Sequence, residues 1–213
     1  MFRKYVWFSL SVSLCLIISG ISFAQDEDFP NLVQNFDFED PTVNPWTMWV
    51  EGGVAVTLGV DDEVFFTGEQ SALIDITMKG SGLRVELHQR PFNLKMNTKM
   101  TYAVWAKTDE GESRDASLRC NHREDPWTTY GSKDITINDE WAEYYTEFTI
   151  TTDDDNVGIY VELKDTPEGR AWFDRFRFYE GDYEPEELEE APKIAVEPHS
   201  KMASTWAKIK SAH

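Results

Sequence analysis

The chain has 213 residues, with 39 acidic side chains against 20 lysines and arginines, a net charge of −19, and two cysteines. At this length we expect one domain with terminal extensions, and apolar residues make up 41% of the chain, enough for a sizeable core. The negative charge argues against nucleic acids and anionic membrane surfaces as partners, because both would repel it. Neutral ligands, cationic ligands and divalent metal ions are compatible with it.

The N-terminus has the features of a signal peptide. Arg3 and Lys4 precede an uncharged run that ends at Ala24 with the small side chains that a signal peptidase recognises. We therefore predict that residues 1–24 are cleaved and that the protein is exported, to the medium, the periplasm or the cell surface. The uncharged run is also long enough to cross a bilayer, so a membrane anchor is the alternative if no cleavage occurs.

The cysteine and histidine content limits the metal chemistry. Removal of the signal peptide leaves a single cysteine, Cys120, so no intramolecular disulfide can form in the mature chain. One cysteine and four scattered histidines also argue against a zinc cluster. Oxygen ligands are plentiful, which makes calcium the candidate cofactor, in a domain that has no disulfide to stabilise it.

Short segments of alternating apolar and polar residues recur along the chain and predict β-strands. Turn residues separate them, and no long segment has helical periodicity, so we predict an all-β fold, a sandwich of two antiparallel sheets. The predicted strands are Ala72–Met78, Leu83–Gln89, Met100–Lys107, Ala116–His122, Glu143–Thr151, Val157–Leu163 and Ala171–Tyr179.

The composition changes sharply after Tyr179. Residues 181–198 are acidic and contain prolines, which predicts a solvated linker. Residues 199–213 carry lysines and no acid, and Met202 and Trp206 would share one face of a short helix. This basic tail is either frayed or a docking element for a protein partner.

Three predicted strands each place polar side chains on the face opposite their apolar residues. If these strands are neighbours, the polar side chains form a groove suited to sugars, whose hydroxyls bond to arginines, amides and carboxylates and whose ring faces stack on aromatic rings. The alternative is a solvated sheet face with cross-strand ion pairs. The residues on the three polar faces are Arg84, Glu86 and His88, then Arg119 and Asn121, then Tyr160 and Glu162.

Aromatic residues are candidates to flank this groove. Trp127 and Tyr130 lie in the segment 125–130, which reads as an exposed loop whose rings cost apolar area unless a ligand covers them. We predict that both bind the ligand together with the seven polar-face residues. Further candidates are Trp46, Trp49 and Trp105, whereas we expect Trp141 and Trp172 in the core.

Five segments, in order, resemble the CenC-like carbohydrate-binding modules over residues 31–180. They are NLVQNFDFE at 31–39, GEQSAL at 68–73, YAVWAK at 102–107, NDEWAEY at 138–144 and AWFDRF at 171–176. The resemblance implies a jelly-roll β-sandwich of the galactose-binding-like type that binds a polysaccharide or an oligosaccharide. It also implies a structural calcium held by Glu39, a backbone carbonyl near Ser71, and Asp174. Arg175 departs from the family, which usually has a second acid there.

The leading hypothesis is therefore an exported, non-catalytic carbohydrate-binding module. One alternative is a glycoside hydrolase with Glu86 and Glu162 as its carboxylate pair, or a polysaccharide lyase that uses Arg84, His88 and Tyr160 on a uronate.

Another alternative is a cell-surface domain that binds a protein through exposed loop residues such as Trp127. The sequence has no nucleotide-binding loop, nucleophile elbow or zinc motif, which argues against phosphate chemistry and serine hydrolysis.

Overall fold

A computed structural model describes residues 30–81 and 84–186. In this part of the chain there are ten strands and no helix, and hence no helix that could cross a membrane. The strands are β1 Thr47–Val50, β2 Ala55–Asp61, β3 Ser71–Met78, β4 Arg84–Leu94, β5 Lys99–Thr108, β6 Arg114–His122, β7 Thr129–Ile137, β8 Ala142–Thr149, β9 Asp154–Lys164 and β10 Gly169–Glu180.

The strands form two antiparallel sheets of five strands that pack as a jelly-roll β-sandwich, which confirms the predicted fold. Sheet A has the order β1-β4-β9-β6-β7, and sheet B has the order β2-β3-β10-β5-β8. In sheet A the strands β4, β9 and β6 are direct neighbours. These are the strands whose polar faces are combined in the sequence-based prediction of a groove.

Alternating apolar side chains from both sheets fill the core. In sheet A, Val85 and Leu87 of β4 and Val161 of β9 are completely buried. An aromatic cluster lies between the sheets, where the rings of Trp46 and Phe176 are 4.2 Å apart between centroids. Burying each such side chain contributes about 1.5–3 kcal/mol, so this core can stabilise the domain without a disulfide.

Three strands are absent from the sequence-based prediction. β1 is only four residues long, and β2 contains Gly59, so neither has a clear alternation. β7 begins at Thr129, inside the predicted loop 125–130, so Tyr130 belongs to a strand. The alternation of apolar and polar residues in β7 is interrupted by Gly131. The Phe148 ring occupies the space that a side chain at residue 131 would need.

The first residues after β10 pack against sheet B. The ring of Tyr183 stacks on that of Tyr145, with 3.5 Å between centroids, and its hydroxyl donates to Glu143 at 2.7 Å. Glu186 forms an ion pair with Arg175. Residues 181–186, the first part of the predicted linker 181–198, are therefore a strap on sheet B, with Asp182, Glu184 and Pro185 exposed to solvent.

Predictions for both ends of the chain lie outside the described residues. These are the signal peptide, the remainder of the acidic segment, and the basic tail at 199–213.

Candidate binding site

The outer face of sheet A carries the predicted polar side chains on adjacent strands. In one row across the sheet, Glu86 of β4 is opposite Glu162 of β9. In the next row, Tyr160 of β9 lies between His88 of β4 and Arg119 of β6. We call this surface the polar groove; it comprises Arg84, Glu86, His88, Arg119, Asn121, Arg123, Tyr160 and Glu162.

Two glutamates are buried at the centre of the polar groove although they point away from the core. Glu86 and Glu162 are 5% and 6% exposed. Arginines cover them: Nη2 of Arg123 lies 3.2 Å from Glu86, and Nη2 of Arg119 lies 3.4 Å from Glu162. Arg84 approaches both carboxylates, at 3.8 Å and 3.5 Å. Like charges on directly opposite residues repel, so these guanidinium groups make the pairing tolerable.

Arg123 is a groove residue that the sequence-based prediction missed. It follows β6, and its side chain crosses the backbone of Gly158 in β9. Its guanidinium lies 4.8 Å from the centre of the Tyr160 ring. Because a side chain at residue 158 would collide with it, the glycine creates the path for this arginine across the sheet.

The alternation of β6 contains a signal that identifies Arg123. Residues 119 and 121 face outward, so residue 123 continues the same face one step beyond the predicted strand end at His122. On β9, Gly158 is also at an outward position, alternating with Tyr160. A glycine among large polar side chains on one face indicates that another chain segment crosses there.

His88 is half-buried and uncharged at neutral pH. Its Nε2 is hydrogen-bonded to Oγ1 of Thr47 at 2.8 Å. Burial lowers its pKa to about 4, and the positive charges of Arg123 and Arg90 add to this effect. The histidine therefore contributes a neutral hydrogen-bonding group to the polar groove.

Tyr160 is also neutral at physiological pH. Its side chain is 5% exposed, and burial, followed by the negative charge of Glu86, raises its pKa to about 12. Its ring forms part of the floor of the polar groove beneath Arg123.

Buried polar atoms without a hydrogen-bond partner concentrate in the polar groove. Among the described residues, seven buried side-chain nitrogen or oxygen atoms have no hydrogen-bond partner. Each such atom costs about 1–3 kcal/mol, so a surface that collects them is suited to acquiring hydrogen bonds from a ligand. Five of them belong to the groove: Nδ1 of His88, Nε of Arg119, Oδ1 of Asn121, Nε of Arg123 and Oε2 of Glu162.

Two exposed tryptophans adjoin the polar groove. Trp49, on the edge strand β1, is 40% exposed and lies 5.0 Å from the guanidinium of Arg84. Trp127, in the loop between β6 and β7, is 54% exposed and lies 5.9 Å from that of Arg123. Both indoles present a ring to the solvent beside an arginine of the groove.

Tyr130 has a different environment from the other predicted ligand-binding residues. Its hydroxyl donates to Asp154 at 2.7 Å, and the same carboxylate lies 2.9 Å from Nδ1 of His122. The hydroxyl is thus engaged in a contact that joins β7, β9 and the end of β6.

The remaining tryptophans lie elsewhere. Trp46 is 1% exposed and belongs to the core. Trp105 is on sheet B, where its ring stacks on Phe66 with 3.8 Å between centroids. The expectation that Trp141 is a core residue is wrong, because it is only half-buried, beside Phe66. Trp172 is 3% exposed, as expected, but it lies on the outer side of sheet B and donates to Asp61.

The predicted metal ligands surround the loop between β2 and β3. Oε1 of Glu39 accepts the backbone N–H groups of Glu69, at 2.8 Å, and Gln70, at 3.1 Å. The hydroxyl of Ser71 donates to the carbonyl of Val64 at 2.6 Å. This side of the loop is therefore organised by hydrogen bonds from the chain itself.

Asp174 holds the other side of the same loop. It is completely buried, and its Oδ2 accepts the N–H groups of Phe66 at 3.0 Å and Thr67 at 3.1 Å. Burial raises its pKa to about 7. A buried carboxylate of this kind has the donor chemistry that calcium requires. However, the described residues contain no cluster of three or more histidines, cysteines or acids that could hold a metal ion.

Comparison with known proteins gives one family match. The profile of a family described as a carbohydrate binding domain matches residues 30–168. No curated protein matches the sequence.

Several solved structures share the fold. A CBM4 structure has 21% identity and a TM-score of 0.58, and the match covers 70% of this chain and 99% of that one. The module TmCBM61 in complex with β-1,4-galactotriose has 15% identity and a TM-score of 0.51, over 71% of this chain and 99% of that one. The arabinose-bound α-L-arabinofuranosidase MgGH51 has 13% identity and a TM-score of 0.59, over 73% of this chain but only 27% of the enzyme.

Proposed function

This chain belongs to the carbohydrate-binding domain family, and from that premise we propose that it is an exported, non-catalytic module that binds a polysaccharide or an oligosaccharide in the polar groove. The observation that carries the choice of site is the concentration in this groove of five buried polar atoms that have no hydrogen-bond partner. Sugar hydroxyls both donate and accept hydrogen bonds, so they can pair with Arg84 and Arg119 at the surface of this groove, where the side chains are 44% and 30% exposed.

The tryptophans beside the polar groove support the same proposal. A sugar ring has an apolar face that stacks on an indole, while its edge carries hydroxyls. Trp49 is 40% exposed and Trp127 is 54% exposed, so both rings are accessible to a ligand that lies over the arginines.

The proposal of a binding module, rather than an enzyme, rests on the state of the candidate catalytic groups. Glu86 and Glu162 are buried beneath arginines instead of opening towards a scissile bond. For a lyase, Tyr160 has a pKa of about 12, far above the pH range in which a general base works well. These features favour recognition of the ligand over its cleavage.

We also propose calcium as a stabilising ion at Asp174, with Glu39 and the loop that both residues hold. An ion there would offset the cost of the buried carboxylate and stabilise the folded state by mass action. The test is thermal unfolding with calcium and with chelator. A higher midpoint in calcium that Asp174→Asn abolishes supports the ion, and identical midpoints contradict it.

Affinity gel electrophoresis of the purified protein tests the main proposal. Its mobility is compared in gels that contain neutral and acidic soluble polysaccharides, each with calcium and with chelator. Retardation by one glycan, with no new reducing ends and no shortening of that glycan, establishes a non-catalytic module. Release of reducing ends or unsaturated products would contradict it, as would the absence of retardation for a folded protein throughout the panel.

A matched pair of variants locates the site. Trp49 is 40% exposed beside the polar groove, and Phe65 is 38% exposed in the loop between β2 and β3. Trp49→Ala should weaken retardation by about tenfold, the cost of one stacking contact, whereas Phe65→Ala should not change it. Equal effects would argue against the groove as the binding surface.

A further inference from the structure

The centre of the polar groove has an excess of positive charge in a strongly acidic protein. The whole chain has a net charge of −19. In the groove, however, three arginines surround two glutamates, because Arg84, Arg119 and Arg123 all approach Glu86 or Glu162. A fourth guanidinium adjoins them: Nη1 of Arg90 donates to the carbonyl of Arg123 at 3.4 Å. Further along the same face, Asp134 is already neutralised by Lys164 at 2.7 Å.

These arginines form few hydrogen bonds with the two glutamates. A guanidinium has five N–H donors. Arg119 and Arg123 each make one long bond to a glutamate, at 3.4 Å and 3.2 Å, and their Nε atoms are buried without a partner within the described residues. Arg84 contacts both glutamates at ion-pair distances of 3.8 Å and 3.5 Å rather than through short hydrogen bonds. The cluster therefore has an excess of donors as well as an excess of positive charge.

An anionic group on the ligand would pair with the free hydrogen-bond donors and also compensate the positive charge. A carboxylate or a sulfate ester offers several acceptor oxygens to neighbouring guanidiniums, and a carboxylate can accept two parallel bonds from one arginine. A neutral hydroxyl can accept a hydrogen bond but leaves the charge uncompensated. Burial lowers the pKa of His88, and the charges of Arg123 and Arg90 lower it further, so this histidine adds no positive charge to the cluster at neutral pH.

The negative charge of the rest of the chain does not oppose such a ligand at close range. At physiological ionic strength, charges separated by more than about 8 Å are largely screened from one another. A ligand group seated among the arginines is therefore governed mainly by its direct neighbours.

We propose that the polar groove is specific for an acidic glycan, with a carboxylate or sulfate of the glycan held by Arg84, Arg119 and Arg123 between Trp49 and Trp127. This inference rests on the proposed function and defines its ligand class. It also revises the expectation, drawn from net charge, that the ligand is neutral or cationic.

The test compares each acidic polymer with its own neutral derivative. The polymers are a uronate-containing polysaccharide with its carboxyl-reduced form, and a sulfated polysaccharide with its desulfated form, all at about 0.15 M salt. An acidic parent should bind about tenfold or more tightly than its derivative, because hydrogen bonds to charged groups contribute more than neutral ones. The pair that shows the preference identifies the anion as carboxylate or sulfate. Equal binding of parent and derivative would overturn the acidic ligand class while leaving the proposed function intact.

Two variants separate charge recognition from general damage. Arg119→Gln leaves Arg84 beside Glu162, so the fold should persist. The ratio of the affinities for the acidic polymer and for its neutral derivative should fall towards one. Trp127→Ala should weaken the binding of the acidic polymer and of its neutral derivative by the same factor, since a stacking contact does not depend on charge. If Arg119→Gln weakens both polymers equally, the arginine does not recognise the anion and the inference is wrong. If no polymer binds, neutral ones included, the proposed function itself fails.

Discussion

The side chain of Arg123 lies directly over the backbone of Gly158, and a Cβ atom at residue 158 would stand 2.7 Å from its Cγ and 2.8 Å from its Cδ. Both distances are shorter than carbon atoms tolerate. The position of the arginine over Tyr160 and beside Glu86 thus depends on a glycine in the neighbouring strand.

The first prediction follows from this contact. Gly158→Ala should displace Arg123 and weaken glycan binding by about tenfold, the loss of one charged hydrogen bond. The unfolding free energy should also fall, by about 1–3 kcal/mol, because the buried carboxylate of Glu86 loses its guanidinium at 3.2 Å. Affinity electrophoresis and urea unfolding measure the two effects.

The matched control is Gly59→Ala in β2, where a Cβ atom would meet nothing within 4 Å. It should leave both binding and stability almost unchanged. If Gly158→Ala binds glycan as well as the parent protein does, the placement of Arg123 is unimportant for recognition.

The second prediction concerns the aromatic cluster of the core. Phe176 is completely buried, 4.2 Å from Trp46 between ring centroids and in contact with Tyr102. Phe176→Ala should lower the unfolding free energy by about 3–5 kcal/mol, since a large cavity is left between two sheets. Phe65→Ala, at a residue that is 38% exposed, should cost far less. Comparable losses in urea unfolding would show that this cluster is not the centre of the core.

The third prediction concerns the pH dependence of stability, to which the half-buried His88 and the buried Asp174 contribute with opposite signs. The pKa of His88 is lowered from 6.5 to about 4, so between these values only the unfolded chain takes up the proton, and stability falls as the pH falls. The pKa of Asp174 is raised from 3.8 to about 7, so in this interval the folded chain keeps a proton that the unfolded chain releases, and stability falls as the pH rises.

Two single variants should separate the contributions of His88 and Asp174 to the pH dependence of stability. The measurement is the midpoint of thermal unfolding at several pH values, in the presence of chelator. His88→Gln should become less stable as the pH rises from about 4 to about 7, because only the Asp174 effect remains. Asp174→Asn should show the opposite slope, and the parent protein should lie between them. Carboxylates with a lowered pKa, such as Asp154 and Glu147, are present in both variants, so their contribution does not change the difference between the two slopes. Identical slopes for the two variants would contradict the assignment.

The fourth prediction concerns the strap at residues 181–186. A chain that ends after Glu180 loses the stacking of Tyr183 on Tyr145 and the hydrogen bond to Glu143. It should be less stable than a chain that ends after Glu186 by about 2–4 kcal/mol, the sum of an aromatic pair and a few hydrogen bonds. Urea unfolding of the two truncated proteins measures the difference, and coincident curves would show that the strap contributes nothing.

Much of sheet A could be predicted from the sequence because its central strands alternate cleanly. In β4, Val85 and Leu87 point inward while Glu86 points outward. In β9, Tyr160 also points outward. This regularity predicts the polar face without knowledge of the strand pairing. The edges of the sheets could not be predicted in this way, because edge strands such as β1 are short and bury only part of each face.

The electrostatic detail of the site depends on pairing across strands. Glu86 and Glu162 are far apart in sequence, and only the register of β4 with β9 places them opposite each other. The need for arginines around them, and hence the excess of positive charge, follows from that register. Likewise, the acidic composition of residues 181–198 predicts solvation, but it does not reveal that Tyr183 has an aromatic partner on sheet B.

Both ends of the described domain are attached to sheet B. The side-chain amide of Asn31 donates to the carbonyl of Phe176 at 2.8 Å, and the backbone N–H of Gly181 donates to the carbonyl of Lys99 at 2.9 Å. The polar groove is on the outside of sheet A, across the full thickness of the sandwich. A tether at either end would therefore present the groove away from the surface that holds the tether, and a long polymer could lie along it without meeting the point of attachment.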